Sequence, residues 1–394
     1  MNQKEREREK RKDGEVMKRF SVGVSGMIGV IVIIGMFCLA PPCAFAADQA
    51  YSSVNDYDAG TSQVYGYDGS GWSSTGLNAI NEIYSVAWDR TNSIVYASGT
   101  TTGGNGLVYK RQSGTWTDIS PTAGLALANA YSVIKTQTGD LYTAGWSSSG
   151  DGRVYKNGGT GWVDTDLQNV MNAGSLAVDP SGNIYVGGKD ATGAYGVVNK
   201  YSGGAWSLMN LGQNIFGEIY SLTVDSAGHV YVGGTDMDLT NGLVYKYDGT
   251  WGDTGLTDYS SVYSLTADGS GNVYAGGETP TGEGIVSKYS GSWTDLAITN
   301  GTSNDTLWVE SVSVDSLGNL YAGGENYAGA PFIYENNGSW SDVGVPGASG
   351  EAYGLTTGFS PDGPSAVPEP FSMAVGGLAI GILELIKRSR RKKD

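Results

Sequence analysis

The side chains best able to do chemistry in this chain are carboxylates that follow one recurring segment. The segment is a short apolar run, typically ending in Gly-Gly, and four successive copies are followed by acidic residues: Asp190, Asp236, Asp238, Glu278, Glu283 and Glu325. Carboxylate oxygens are preferred ligands of Ca²⁺ and also accept hydrogen bonds from polyols. If these loops share one face of the fold, the sequence predicts a site for a hard cation or a polyol. The alternative is a set of solvated acidic loops.

The scarcity of histidine and cysteine excludes most other chemistries. The chain has one histidine, His229, and two cysteines, Cys38 and Cys43, both close to the N-terminus. A catalytic triad or a histidine-rich metal site would have to use His229, which takes the place of a turn asparagine in sister segments. No spacing among the acidic residues selects a pair for glycoside hydrolysis. We therefore predict a protein that is not an enzyme and has no obligatory cofactor, with Ca²⁺ as the candidate ion.

The carboxylates belong to a repeat of about 45 residues. A tyrosine recurs inside the apolar run, at Tyr96, Tyr142, Tyr185, Tyr231, Tyr274 and Tyr321. A tryptophan recurs at a similar period, at Trp72, Trp116, Trp162, Trp206, Trp251, Trp293 and Trp340. Periods of this size are typical of propeller blades or helical arrays. Aromatic residues that recur with the fold usually form its core, so we expect both sets to pack between repeats.

The local pattern favours the propeller. Each repeat holds four short runs rich in Val, Ile, Tyr and Thr, separated by glycine turns and without helical periodicity. We predict an all-β fold, a seven-bladed β-propeller of four-stranded antiparallel blades over residues 63–360, preceded by a lead-in at 47–62. A late half-repeat at 63–72 would supply third and fourth strands, and an early half-repeat at 352–356 a first strand. These two halves would share one blade and close the ring.

Charge divides the chain into three regions. The whole chain carries a formal charge of −16, but residues 47–370 contain 33 acidic and ten basic side chains, a net charge of −23. A surface of this sign repels the phosphate backbone of nucleic acids and anionic membranes. We therefore predict no nucleic-acid partner for the propeller.

The N-terminal region predicts an export signal. A basic pair precedes a long apolar run over 22–39, and Ala44 and Ala46 form the small-x-small pattern that signal peptidase reads. We predict a signal peptide, with a signal helix, over 1–46; Met17 is an alternative start. Because the apolar run is long, an uncleaved membrane anchor is the other interpretation.

The C-terminal region has three parts in a fixed order. Residues 361–370 form a linker that ends in Val367-Pro368-Glu369-Pro370, and residues 371–386 are predicted to form a short transmembrane helix. Residues 387–394 form a basic cytoplasmic tail, anchored by Lys387, Arg388, Arg390, Arg391, Lys392 and Lys393. The basic cluster would hold its end of the helix in the cytoplasm. A simple membrane anchor is the alternative reading.

Two family resemblances rest on these motifs. The Pro-Glu-Pro tripeptide, the short glycine-bearing helix and the basic end resemble the PEP-CTERM sorting signal of Gram-negative bacteria. That resemblance implies an exosortase, which recognises the tripeptide, cuts near it and discards or replaces the helix. The repeats resemble kelch repeats in their Gly-Gly, Tyr and Trp, and resemble NHL and SBBP propeller repeats in their Asp-x-x-Gly-Asn-x-Tyr half. Ser98-Gly99 and Ala144-Gly145 depart from the double glycine and leave the subfamily open.

The combined prediction is an exported binding or structural protein of the cell envelope or of an extracellular polysaccharide matrix. Its processing partners would be the Sec translocon, signal peptidase and an exosortase, and its ligand an exopolysaccharide or another envelope protein. It would pass through an inner-membrane intermediate before reaching the cell surface or the medium. The alternative is a polysaccharide hydrolase or lyase that uses the acidic loops at the mouth of the propeller.

Overall fold

A computed structural model of the protein describes residues 50–357, except 57–58, 78–79, 123, 213, 299–305 and 346–349. These residues form 28 strands in seven four-stranded antiparallel sheets, which confirms the predicted all-β, seven-bladed propeller. The predicted signal peptide, sorting motif and C-terminal helix lie outside the described residues. Within the described ranges no helix has the length and apolar character that a membrane crossing requires.

The blades follow the chain in order, each running from its innermost strand at the axis to its outermost strand. In chain order the strands are β1 (Ala50–Asp56), β2 (Thr61–Tyr67), β3 (Trp72–Ser74), β4 (Glu82–Asp89), β5 (Ile94–Thr100), β6 (Gly106–Gln112), β7 (Thr115–Asp118), β8 (Leu127–Lys135), β9 (Leu141–Ser147), β10 (Gly152–Asn157), β11 (Trp162–Asp164), β12 (Val170–Val178), β13 (Ile184–Asp190), β14 (Gly196–Ser202), β15 (Ala205–Leu208), β16 (Phe216–Val224), β17 (Val230–Asp236), β18 (Gly242–Tyr247), β19 (Trp251–Asp253), β20 (Ser261–Ala267), β21 (Val273–Glu278), β22 (Gly284–Tyr289), β23 (Trp293–Asp295), β24 (Thr306–Val314), β25 (Leu320–Asn326), β26 (Pro331–Asn336), β27 (Trp340–Asp342) and β28 (Glu351–Thr356). Blades 1 to 6 comprise β4–β7, β8–β11, β12–β15, β16–β19, β20–β23 and β24–β27.

Blade 7 joins the two ends of the propeller, in the strand order β28-β1-β2-β3. The C-terminal segment supplies the innermost strand, as the half-repeat predicts, but the N-terminal segment supplies three strands instead of two. The region predicted as a lead-in, 47–62, therefore contains β1 and the start of β2. The polar residues of β1 resemble an exposed segment in the sequence, although they are buried at the ring junction. Asn55 donates from Nδ2 to the Ile83 carbonyl (3.2 Å) and accepts from the Ile83 amide (3.0 Å).

A bulge in the innermost strand explains the glycine pair. In blade 4 the pairs Ile219↔Gly234 and Ser221↔Gly233 leave Tyr220 without a partner across the ladder. A Cβ on Gly234 would lie 2.0 Å from the Glu218 carbonyl oxygen, so only glycine fits this second position.

Blades 1 and 2 keep the second glycine, as Gly99 and Gly145, and replace only the first. A Cβ on either would also lie within about 2 Å of an inner-strand carbonyl. The first position faces the next blade, where Ser98 and Ala144 are accommodated. The two departures from Gly-Gly therefore occur at the first glycine position, where a side chain can be accommodated.

The repeat tryptophans begin or lie within the outermost strands and connect neighbouring blades. Trp251 donates its Nε1–H to the Met209 carbonyl (2.6 Å) of the preceding blade, and Trp340 donates to the Leu296 carbonyl (2.8 Å). Each indole packs beside an apolar cluster shared by two blades. Aromatic packing and an indole hydrogen bond therefore hold neighbouring blades together, except at Trp72, whose buried Nε1 has no hydrogen-bond partner among the described residues.

Three repeat tyrosines of the second strands, Tyr185, Tyr231 and Tyr274, donate to the aspartate of the preceding turn. In blade 3, one Asp179 oxygen accepts from the Asn183 amide (2.9 Å), and the other accepts from the Tyr185 hydroxyl (2.9 Å). His229 occupies the asparagine position in blade 4, with Nδ1 2.7 Å from an Asp225 oxygen. The single histidine is thus a turn residue that reproduces the asparagine contact.

Candidate binding site

Four of the six predicted carboxylates lie on one rim of the ring. They stand at the ends of second strands in neighbouring blades, opposite the first half of the innermost strand: Asp190, Asp236, Glu278 and Glu325. Asp238 and Glu283 lie in the loops that follow. In the part of the chain that the structure describes, no three acidic, histidine or cysteine side chains are grouped to hold a metal ion. The shared rim exists, but its carboxylates do not form an assembled Ca²⁺ ligand set there.

Asp190 and Asp236 are used by their own loops. Asp190 accepts hydrogen bonds from the Ala194 amide (2.7 Å) and the Thr192 hydroxyl (2.5 Å). Asp236 accepts from the Thr240 amide (2.8 Å) in the same way. Burial opposes ionisation of both groups, but the hydrogen bonds outweigh it and hold the pKa of each carboxyl below its usual value. These two carboxylates therefore stabilise hairpin loops.

Glu278 and Glu325 belong to the interior side of the rim. Glu278 accepts from the Tyr263 hydroxyl at 3.1 Å, and Glu325 is only 4% exposed and pairs with Trp308 across the ladder. Glu283 remains in its loop, where it accepts from the Thr281 hydroxyl (3.3 Å). The predicted residues are thus divided between loop caps and inward-facing groups.

A cluster of aromatic side chains near the centre of the ring was not predicted from the sequence. The bulge in each innermost strand directs its unpaired residue inward, so that Tyr84, Tyr131 and Tyr220 form one buried cluster with Tyr263 packed against it. The rings of Tyr220 and Tyr263 are 5.7 Å apart. Burial, followed by the charge of Glu218, raises the pKa of Tyr220 well above its usual value. The rim predicted as a channel mouth therefore stands over a packed aromatic cluster.

A recess lies elsewhere, in the seam between blades 2 and 3. It is a groove of about 590 Å³, within the range of roughly 300–1,000 Å³ typical of small-ligand sites. Its walls come from the segment that enters blade 3 and from β14 and β15. Its lining includes Asp166, Gln168, Asp190, Val197, Asn199 and Trp206.

The groove exists because one tyrosine of the repeat is missing. Five third strands carry a tyrosine two residues after the start of their apolar run, and each packs beside its own blade's tryptophan: Tyr65, Tyr109, Tyr155, Tyr245 and Tyr334. Blade 3 has Asn199 at this position, beside Trp206. Asn199 is 7% exposed, and its amide atoms are not among the buried, unpaired polar atoms of the described residues. The amide lines the groove, and the Tyr195 ring forms part of the same wall.

Blade 5 also lacks this tyrosine, but a side chain from the segment that enters its innermost strand fills the space. Its third strand has Ser287, and the buried Tyr259 extends into the apolar cluster formed with Ile285 and packed by Trp293. The Tyr259 hydroxyl donates to the Ala275 carbonyl at 3.1 Å. The position equivalent to Tyr259 in blade 3 is Val170, a shorter, buried side chain of the apolar cluster beside Trp206.

The open end of the groove is acidic. Asp166 is exposed and has a left-handed backbone (φ 60°), at a repeat position where sister blades have Gly76, Gly255 and Gly344. Asp190 lines the opposite side, and no lysine or arginine is found among the described residues that line the groove. Three blades have glycine at this position, whereas Asn210 and Ala297 also adopt a positive φ there, so the left-handed backbone of Asp166 has a modest conformational cost.

A second recess of about 400 Å³ continues the seam and shares Gln168 and Asn169 with the groove. Arg153 lines it, but this guanidinium already lies 3.3 Å from Asp151 and 3.7 Å from Asp164. The two recesses form one polar cleft whose single arginine is charge-compensated.

Comparisons with known proteins support the fold. A puromycin hydrolase mutant matches with a TM-score of 0.53 at 9% identity, covering 77% of this chain and 53% of that one. The Aleuria aurantia lectin in complex with Fucα1-6GlcNAc gives 0.47 at 14% identity, with coverages of 71% and 96%. TolB from Acinetobacter baumannii gives 0.48 at 12% identity, with coverages of 79% and 66%. At these identities the likeness concerns the fold alone. No protein-family description and no curated protein matches the sequence.

The groove was missed because the sequence reading followed the residues that recur. The signal lay in the residues that fail to recur, since aligning the third strands by their valines isolates Asn199 and Ser287. That alignment alone does not distinguish a filled space from an open one. The distinction needs the position of Tyr259, which reaches blade 5 from outside the third strand.

Proposed function

We propose that the protein is an exported, non-catalytic binding protein of the cell envelope or of an extracellular polysaccharide matrix, and that it binds its ligand in the groove between blades 2 and 3. The observation that carries the proposal is the groove beside Trp206, which is lined by the Asn199 amide and the Asp166 carboxylate. Sites for small polar ligands combine apolar walls with a few convergent polar groups, and the groove has both. Binding at a repeat position that has lost its core residue leaves the remaining blades free to maintain the ring.

The hydrogen bonds that the acidic loops already accept favour a binding role over hydrolysis. Asp190 and Asp236 accept hydrogen bonds from their own loops, and their lowered pKa values suit permanent carboxylates better than a general acid, which needs a raised pKa. No specific contact in the described residues favours the hydrolase or lyase alternative.

Export and sorting complete the proposal. The apolar run before Ala44 and Ala46 would direct the chain through the Sec translocon, and Val367-Pro368-Glu369-Pro370 would present it to an exosortase in a Gram-negative bacterium. The acidic propeller would then reach the surface or the medium without its two basic ends. Its strong negative charge would keep it soluble and separate from anionic membrane surfaces.

The binding role is tested with the processed protein purified from exosortase-bearing cells. We expect it to co-sediment with isolated matrix polysaccharide or envelope fragments and to release no reducing ends during prolonged incubation. Release of reducing ends that is abolished by Asp236→Asn or Glu278→Gln would replace the binding role by the hydrolase alternative. Absence of any association with either fraction would contradict the proposal as a whole.

Sorting is tested separately by mass spectrometry of both termini. We expect an N-terminus after Ala46 and a C-terminus near Pro370 in cells with exosortase. Glu369→Gln should impair removal of the helix, whereas Glu384→Gln, the same change inside the helix, should leave processing intact. Retention of residues beyond Phe371 in the wild-type protein would contradict exosortase processing while leaving the binding role open to its own test.

A further inference from the structure

We infer that the groove between blades 2 and 3 is a monosaccharide subsite that accepts neutral or amino sugars and rejects uronic acids. This inference rests on the proposed function, because it names the ligand class of the same groove. It is drawn from three properties of the described residues: the shape of the missing side chain, the Asn199 amide and the sign of the charge.

The shape follows from the repeat. The groove lies beside Trp206, at the position where sister blades hold a tyrosine ring, and Tyr195 forms part of its wall. The indole of Trp206 is half-buried and its Nε1–H is already donated to the Thr165 hydroxyl (3.1 Å). The indole therefore offers a fixed apolar surface to a ligand and no free polar group. The C–H faces of a pyranose suit such a surface, as do other flat, partly apolar rings.

The amide separates a sugar from a purely apolar ring. Asn199 has two N–H donors and one carbonyl acceptor, and it lines the groove. A ligand with neighbouring hydroxyl groups can satisfy the donor and the acceptor together, because each hydroxyl both donates and accepts. An apolar ring in the same place would leave the amide unpaired. Gln168 adds a second amide at the open end of the groove.

The charge decides which sugars enter. Asp166 and Asp190 line the groove, and the arginine in the adjoining recess is already paired with Asp151 and Asp164. A uronate carboxylate would therefore meet two negative groups without an available cation, which is unfavourable for binding. A neutral sugar loses nothing, and the ammonium of a deacetylated amino sugar gains an attractive partner in the exposed Asp166.

The experiment measures binding of three probes, methyl glucoside, glucosamine and glucuronic acid, to the processed protein by saturation-transfer NMR. We expect contact signals from the first two and none from glucuronic acid. Asn199→Tyr restores the repeat tyrosine and should abolish the signals without unfolding the protein. Asn199→Ser keeps the space but removes the amide, and should weaken binding about tenfold, the usual effect of one lost hydrogen bond to a neutral ligand.

Asp166→Gly tests the charge at a backbone position where glycine is favoured, so the fold should tolerate it. We expect it to weaken glucosamine binding and to leave methyl glucoside binding within about twofold, since an exposed charge contributes little to a neutral ligand. Equal binding of glucuronic acid and methyl glucoside by the wild-type protein would overturn the assignment of ligand class.

The outcomes separate the subsite from the binding role itself. If the wild-type protein and Asn199→Tyr retain matrix polysaccharide equally, the groove is not the binding site, although the protein remains a binding protein. If the wild-type protein retains neither polysaccharide nor probe sugars, both proposals fail. Loss of probe binding in Asn199→Tyr, with unchanged thermal unfolding, supports the subsite.

Discussion

Blades 3 and 5 differ in how they compensate for the same lost tyrosine. Both have the same loop length into the innermost strand and a left-handed residue at the same place, Asn169 (φ 61°) and Asp258 (φ 69°). The next residue is Val170 in one blade and Tyr259 in the other. Tyr259 closes the seam of blade 5, whereas Val170 is shorter and the seam of blade 3 holds the groove. One side chain on a neighbouring element therefore distinguishes the packed repeat from the candidate site.

The largest effect is expected from removing the substitute ring of blade 5. Tyr259→Val copies the blade 3 residue into a fully packed seam, and we expect a loss of about 3 kcal/mol in the free energy of unfolding, typical of a buried aromatic cut to a small side chain. Val170→Ala is the matched change in blade 3, and it should cost clearly less because its seam is already open. Urea unfolding followed by tryptophan fluorescence measures both. Equal losses would show that the two seams are packed alike.

Adding a tyrosine to the third strand of each blade tests whether its seam has room for another ring. Ser287→Tyr adds a second ring beside Tyr259 and should destabilise the protein by about 1–3 kcal/mol, whereas Asn199→Tyr enters an open groove and should change stability by less than about 1.5 kcal/mol. Thermal and denaturant unfolding of the two variants provide the comparison. Destabilisation of Asn199→Tyr to the level of Ser287→Tyr would contradict an open groove.

The two tryptophans allow a smaller, matched comparison. Trp206 and Trp293 donate to Thr165 and Thr254 at 3.1 and 3.0 Å. Each Trp→Phe change should cost about 1 kcal/mol for the lost hydrogen bond, with a further packing loss of similar size in both blades. Only Trp206→Phe should also weaken sugar binding, because its indole lines the groove. Equal binding by both variants would remove Trp206 from the site.

The smallest effect concerns pH and the loops above the two seams. The blade 3 loop is capped by Asp190, and the blade 5 loop by the Thr279 hydroxyl, which accepts from the Glu283 amide at 3.1 Å. Because folding lowers the pKa of Asp190, its stabilising contribution is present above its ordinary pKa and is lost as the pH falls through the folded value. The Thr279 cap does not titrate in this range.

Amide hydrogen exchange between about pH 5 and pH 2 measures this difference. The protection of Ala194 should fall with acidification, while that of Glu283 should change much less. Asp190→Asn controls for the titration of other carboxylates, and it should remove most of the pH dependence at Ala194. A fall that persists in this variant would assign the effect to another group.

The sequence was informative where the fold repeats and less so at the ring junction. The spacing of Trp and Tyr predicted seven blades correctly, because every blade needs the same contacts to its neighbours. It missed β1, because Ser53 and Asn55 read as a polar lead-in. Both are buried and bonded to the backbone of blades 7 and 1, including a 2.8 Å bond from the Gly354 amide to the Ser53 hydroxyl. Polarity indicates exposure only when the partners of the polar groups are known.

The acidic rim was predicted from charge and from the position of the residues after the second strand. Asp190, Asp236, Glu278 and Glu325 share a rim because equivalent strand ends lie at one end of a propeller. Their chemistry depended on neighbours that spacing does not reveal, such as the loop amides around Asp190 and the Tyr263 hydroxyl beside Glu278. A carboxylate already engaged by its own loop is a poor indicator of a ligand.

The sequence by itself determined the blade, the number of blades and the predicted export and sorting signals, because each of these is encoded in local spacing or composition. The tertiary structure alone decided that tyrosines cluster near the centre and that the seam of blade 3 is open. Both depend on side chains from separate strands meeting in one space. Tyr259 reaches the seam of blade 5, whereas its counterpart in blade 3 is the short Val170, and packing between such strands leaves no signature in either segment alone.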